Sequence, residues 1–316
     1  MKFPRFPRQS DIVRATLATR ESSVGVSSFL TDKRAAESIV NFIDPAPSDN
    51  VCELGAGFGH LSVELLKRNV KKLLAVEFNR DCISHLTRIK QLNPQFSIKH
   101  GNPHFMDFHA EYASKTPEER LIVSLGFANF YQNFFYLHQL IRDYTNSTQL
   151  FSYQPVLISG WFVEQRANRM CGNTSIPGKP FDIVVSNYFH TELGPVIPSH
   201  CFTSNTYWNG QVVKLRPRVL PVLDISLERL EGIIGCITYN VTGEKRYGKK
   251  ELWQVLARKG ILTPDNEKDF VREFEGVGLS LERTADTFGL GDLKLLVEIS
   301  HLFPSKAELF GEENAR

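Results

Sequence analysis

The sequence contains no apolar run near the ~20 residues that a helix needs to cross a bilayer, so no membrane span and no membrane partner is expected. Its five cysteines, Cys52, Cys82, Cys171, Cys201 and Cys236, are scattered and never form C-x-x-C. That spacing argues against a disulfide frame or a zinc site and suits buried thiols in a reducing compartment. His100, His104 and His109 lie near one another without cysteine partners or an H-E-x-x-H helix, so no metal is expected. A G-x-S-x-G elbow and a Walker loop are also missing, which removes the common acyl-transfer and NTPase readings. Internal repeats and low-complexity tracts are lacking too. Charge of one sign does not dominate: 37 Lys and Arg stand against 35 Asp and Glu, so only local basic clusters carry information. What remains is a 316-residue chain, 42% apolar, able to bury one large core or two smaller ones.

The most informative stretch is 50–81, NVCELGAGFGHLSVELLKRNVKKLLAVEFNRD. It reads as a strand (51–54), a glycine loop, a helix through Lys67 and a second strand (73–76) ending on Glu77. Glycines at alternate positions (Gly55, Gly57, Gly59) leave no Cβ where the backbone turns sharply and a ligand must pass close. Leu61, Leu65 and Leu66 fall at helical spacing for packing on a sheet. An acid about 20 residues after the loop, at the tip of the next strand, is placed to hold ribose hydroxyls. The order here is E-x-G-x-G-x-G with Glu53 leading, rather than the dinucleotide form G-x-G-x-x-G. It resembles the S-adenosylmethionine loop of class I methyltransferases.

A family resemblance rests on further motifs. Ahead of the loop run F-P-R-F-P, I-V-R and S-S-F-L-T-D-K-R-A-A-E-S-I-V. They resemble the start of the KsgA-type rRNA adenine N6-dimethyltransferases, and most of all the mitochondrial transcription factor B branch. That family has a Pro-rich lead-in, then Q-N-F-L-x-D, then a helix ending in I-V, then E-x-G-x-G-x-G. The resemblance implies S-adenosyl-L-methionine as cofactor, with Phe29, Leu30, Glu53, Gly55, Gly57, Gly59, Glu77 and Asn102 around it. Asn102 stands where the family has the Asp of G-D, and its carbonyl oxygen still accepts a hydrogen bond. Ser27-Ser28 replaces the family's Gln-Asn, which implies weaker binding.

The strand 121–125 should lead into the family's target-base motif, N-[LP]-P-[YF], whose asparagine holds the adenine amino group and whose ring stacks on the flipped base. Methyl transfer from a sulfonium needs little acid–base help; it needs the amine oriented in line. Here the sequence reads S-L-G-F-A-N-F-Y-Q-N. Phe127 in a degenerate remnant, or Asn129 with Phe130 in a shifted one, are the catalytic candidates; alternatively the aromatics continue into a core helix at 134–141.

Beyond this, 156–160 reads as a strand, 161–170 as a helix resembling the family's Q-K-E-V-A-E-R-L, and 181–189 and 212–215 as strands completing the sheet. The segment 214–221, with two prolines and three basic residues, reads as a linker to a helical domain with helices near 225–239, 249–259, 265–274 and 290–302. The expected fold is therefore α/β, a class I Rossmann-like domain (28–218) followed by a small helical domain (222–316). Residues 1–27 carry Lys2, Arg5, Arg8, Arg14 and Arg20 against Asp11 and Glu21. They read either as a mitochondrial presequence or as a basic arm that stays attached and meets phosphate. Lys214, Arg216 and Arg218 of the linker, and Lys245, Arg246, Lys249 and Lys250 around Tyr247, are candidate RNA contacts.

The function expected from the resemblance is binding of small-subunit rRNA, as a monomer, during assembly of the mitochondrial small subunit in the matrix, with methyl transfer reduced or lost because the target-base motif is missing. An active dimethyltransferase is one alternative. A transcription factor acting with mitochondrial RNA polymerase on DNA is the other.

Overall fold

The structure, a computed structural model, describes residues 3, 12, 29–112, 119–126, 130–146, 151, 156–173, 180–203, 208–238, 252–282 and 290–304. Helix α1 (Lys33–Ile43) starts where the Asp32 carboxylate accepts the Ala35 amide at 2.7 Å, an N-cap that satisfies an otherwise orphaned donor. Ala35, Ala36, Ile39, Val40 and Ile43 fall on one face and are buried, and the helix ends at Asp44 in the left-handed region.

Next come β1 (Asn50–Leu54), α2 (His60–Lys67), β2 (Lys72–Glu77), α3 (Arg80–Leu92) and β3 (Phe96–His100). A short α4 (Phe108–Tyr112), β4 (Leu121–Leu125), α5 (Phe130–Thr145), β5 (Val156–Val163) and α6 (Glu164–Met170) follow. The chain continues through α7 (Pro180–Tyr188), β6 (Phe189–Ile197) and β7 (Gly210–Pro217). The seven strands form one sheet in the order β3-β2-β1-β4-β5-β7-β6. β1 pairs in parallel with β2 and β4, and β4 with β5, while β7 runs antiparallel to β5. Strands β1 and β4 are buried along their whole length, as apolar runs in a doubly covered parallel sheet must be. The strand order reverses between β1 and β4, so the carboxyl ends of these strands flank the crevice where such sheets bind ligands.

The chain divides into two compact units. One comprises 1–167 with 190–217, the other 168–189 with 218–316. The second unit contains α7 together with α8 (Leu227–Thr238), α9 (Leu252–Arg258), α10 (Glu267–Gly276) and α11 (Leu290–Glu298). Phe270, Phe274 and Phe303 pack ring on ring within it.

Three features differ from the sequence-based expectations. Of the segment expected as a strand over 181–189, all but Phe189 lies in the helix α7, and Phe189 opens β6. The segment's β-branched run suggests a strand, but Pro180 opens the helix at a position that suits proline. Asp182, 1% exposed, is paired with Arg169 at 3.2 Å, and Ile183, Val184, Val185 and Tyr188 are buried. α7 and the stretch from Asn168 therefore pack with the helical unit rather than with the domain in which the sequence placed them. The helix expected from residue 161 begins only at Glu164, because β5 continues through Trp161, Phe162 and Val163 to pair with Val212, Gln211 and Gly210. The expected linker at 214–221 begins inside β7.

Candidate cofactor site

The glycine loop follows β1, as its spacing implies. Gly55, Gly57 and Gly59 have φ of 79°, 54° and 79°, a region costly for residues with a Cβ. Gly57 has a second constraint: a Cβ there would lie 3.0 Å from the Phe29 ring. Its amide donates to Oε2 of Glu77 at 2.7 Å, while Oε1 of Glu77 accepts the amides of Phe78 and Asn79, both at 2.8 Å. The acid at the tip of β2 thus ties the loop to the start of α3. Burial pushes the Glu77 carboxyl above the usual carboxylate range, against the pull of these three amides. A carboxylate offers about four acceptor positions. Among the described residues three are taken, so Oε2 keeps room for one further donor rather than two.

Glu53, the leading acid of the motif, lies buried beneath the loop. It is 1% exposed, and its Oε2 accepts the Ser62 hydroxyl of α2 at 2.5 Å. Burial, opposed by this hydrogen bond and reinforced by the nearby Glu77 charge, raises its carboxyl to about 8. Glu53 therefore clamps the strand to the helix under the loop. Opposite it, Gly126 donates its amide to the Leu54 carbonyl at 2.8 Å, and a Cβ there would lie 2.9 Å from the Gly55 carbonyl oxygen. Two backbones meet at this point, so only glycine fits. This contact is not foreseen from the sequence, where the place of Gly126 directly after β4 is its only signal.

Phe29 and Leu30 are buried beside the loop. Phe29 lies edge-on to Phe58 with centroids 5.2 Å apart. The backbone from Phe29 to Thr31 is fastened to Cys201–Thr203. The Phe29 amide donates to the Thr203 hydroxyl at 2.9 Å, the Thr203 amide to the Phe29 carbonyl, and the Thr31 amide to the Cys201 carbonyl. Asn102 is exposed at the same rim as Glu77, since the Gly101 amide donates to the Glu77 carbonyl at 3.0 Å. Two exposed rings that the sequence analysis missed also stand on this rim: Phe78, next to Glu77, and Phe105, 83% exposed three residues after Asn102. Their neighbours Met106 and Phe108 are buried, so the outward turn of Phe105 is a property of the short helical turn 103–105 rather than of composition.

The catalytic candidates Phe127 and Asn129 lie outside the described residues, as do Lys245, Arg246, Lys249 and Lys250. Phe130 is the first residue of α5. Of the remaining basic candidates, Lys214 is a correction: it is buried, with its ammonium 3.2 Å from Glu192 and 4.2 Å from the Phe42 ring centroid. It shares a face of β7 with Arg216, but the Phe42 ring and Glu192 cover its ammonium, so it is not available to phosphate. Arg216 is 58% exposed, paired with Glu192 at 3.3 Å. In the other unit, Arg218 donates its side-chain Nε–H to the Ser186 carbonyl.

The sheet order, the loop after β1 and the acid ending β2 define a class I methyltransferase fold. Solved structures agree: a dimethyladenosine transferase from Plasmodium falciparum matches at a TM-score of 0.60 and 17% identity, covering 87% of this chain and 98% of that one. The 23S rRNA methyltransferase ErmE matches at 0.55 and 15%, covering 85% and 98%. The family is narrower than the fold. The ribosomal RNA adenine dimethylase model matches residues 22–238, and the chain belongs to that family. Among its relatives, the ribosomal RNA small subunit methyltransferase A of Clostridium perfringens is 25% identical over 269 residues, 85% of this chain and 86% of that protein. The protein of the same description from Nitrosomonas eutropha is 27% identical over 209 residues, 65% of this chain and 73% of its own.

Proposed function

We propose that this protein binds small-subunit ribosomal RNA during assembly of the mitochondrial small subunit, with methyl transfer to adenine reduced or lost. The observation that carries this reading is a mismatch between the two halves of the site. The nucleoside cradle is built, with Gly57 held on Glu77 and Gly126 pressed on Gly55. The stretch between Ser124 and Asn133, where the family's Asn-x-Pro-aromatic should stand, contains no proline and no matching register. The mitochondrial assignment rests on the resemblance of the motifs ahead of the glycine loop to the mitochondrial branch.

The residues present fit S-adenosylmethionine. Gly55 and Gly57 give the loop its positive-φ turn, Glu77 has an acceptor position left for a ribose hydroxyl, and Asn102, at the position where the family's Asp meets the adenine, is exposed on the same rim. When bound, that group would supply an electrophilic methyl. The chain's own share of the chemistry would be to hold the target amine in line with it, and a misplacement of ~1 Å costs on the order of 10²-fold in rate. The built cradle favours a second reading, an active dimethyltransferase working through Asn129.

Crosslinking the protein in cells and sequencing the attached nucleic acid tests the proposal. Small-subunit rRNA near its 3′ end is the expected catch. Melted promoter DNA in its place would overturn the reading and move the protein to transcription.

A further inference from the structure

Two described residues of the N-terminal segment are packed on the first unit. Phe3 is partly buried against the main core, with the Lys67 ammonium 5.9 Å from its ring centroid. Ile12 is 8% exposed and forms an apolar cluster with Phe29, Phe58 and Cys82. This cluster reaches the glycine loop directly. Phe58 belongs to the loop, and the Phe29 ring occupies the space a Cβ at Gly57 would need. On its far side Phe58 meets the His85 ring at 6.2 Å. The Gly57 amide, once in place, is the donor to Glu77.

We propose that the segment from Phe3 onward is kept in the working protein rather than removed as a presequence, and that Ile12 is a positioning residue that backs Phe29 and Phe58 against the glycine loop. A removable leader gains nothing by burying its apolar side chains in the mature core. Here Ile12 closes a cluster whose other members are the loop's own aromatic and the ring packed on it. Without Ile12, Phe29 and Phe58 lose part of their backing, and the loop opens more often before any cofactor arrives.

The proposal goes beyond the functional reading, and its test needs neither cofactor nor RNA. Hydrogen exchange is followed amide by amide in the full chain and in Ile12→Ala. Loss of buried methyl groups at this site should speed exchange at Gly57 and Phe58 by about tenfold or more, with the β1 and β4 amides unchanged. Ile12→Leu should restore protection. Equal acceleration everywhere would make Ile12 ordinary core, and unchanged exchange at Gly57 would remove it from the loop; either result overturns the positioning role. Intact mass of the protein recovered from its own cells gives the second arm. A mature N-terminus beyond residue 12 would overturn retention outright.

Discussion

Glu53 provides the most quantitative test of how the cradle is built. Its carboxyl is raised from 4.5 to about 8 in the folded protein. The sign follows from linkage: between these values the folded chain holds a proton that the unfolded chain has released. Stability from this group is therefore full below pH 4.5 and is lost as pH rises towards 8. A shift of this size corresponds to on the order of 5 kcal/mol at 1.36 kcal/mol per unit, a large part of the 5–15 kcal/mol typical of a domain. Glu53→Gln keeps the shape and an acceptor for the Ser62 hydroxyl but carries no titrating proton. The variant should gain on wild type as pH rises from 5 to 8, with a slope approaching about 1.4 kcal/mol per pH unit. Because the chain has two units, the readout should belong to the first one, and protection of the buried β1 amides in rising urea serves. Parallel stability curves for the two proteins would refute the reasoning and leave Glu53 ionised in the fold.

Other predictions address the same unit and its surface. Glu77→Ala removes the acceptor for three backbone amides and the ribose-facing oxygen, so calorimetry should show S-adenosylmethionine affinity reduced at least about tenfold; equal affinity would remove Glu77 from the site. His60, buried at the start of α2, is lowered from 6.5 to about 4, chiefly by desolvation. The first unit should therefore lose on the order of 3 kcal/mol as pH falls from 6.5 to 4, a loss His60→Gln should not share. RNA affinity should fall with salt at a log–log slope of about −0.7 per phosphate contact. Neutralising Lys245, Arg246, Lys249 and Lys250 together should flatten that slope, and an unchanged slope would assign them to plain solvation.

The first half of the unit could be read from the sequence because each local signal there agrees with the tertiary result. The glycine spacing, the period of Leu61, Leu65 and Leu66, and the acid closing β2 all act within one βαβ unit. What the sequence concealed depends on partners far along the chain. The run at 181–189 looks like a strand until Arg169 is brought to Asp182. Lys214 reads as a linker cation, yet pairing with β5 sets a register that turns it towards Phe42 and Glu192. Gly126 looks like a loop residue, but its lack of a Cβ is required by the Gly55 carbonyl, 71 positions earlier in the chain. Likewise, nothing local announces that Phe29 is fastened to Thr203. The motif resemblance identified Glu53 as part of the loop, while its role as a clamp on Ser62 emerged only from packing.

Under the proposed function, this chain of the dimethylase family keeps the cradle while its means of presenting adenine is reduced or lost. The direct test incubates the protein with a small-subunit rRNA fragment and S-adenosylmethionine carrying a labelled methyl, then digests the RNA to nucleosides. Retained RNA and no labelled N6,N6-dimethyladenosine are expected. Stoichiometric label on adenine, abolished by Asn129→Ala, would contradict it and restore Asn129 as the residue that holds the amine.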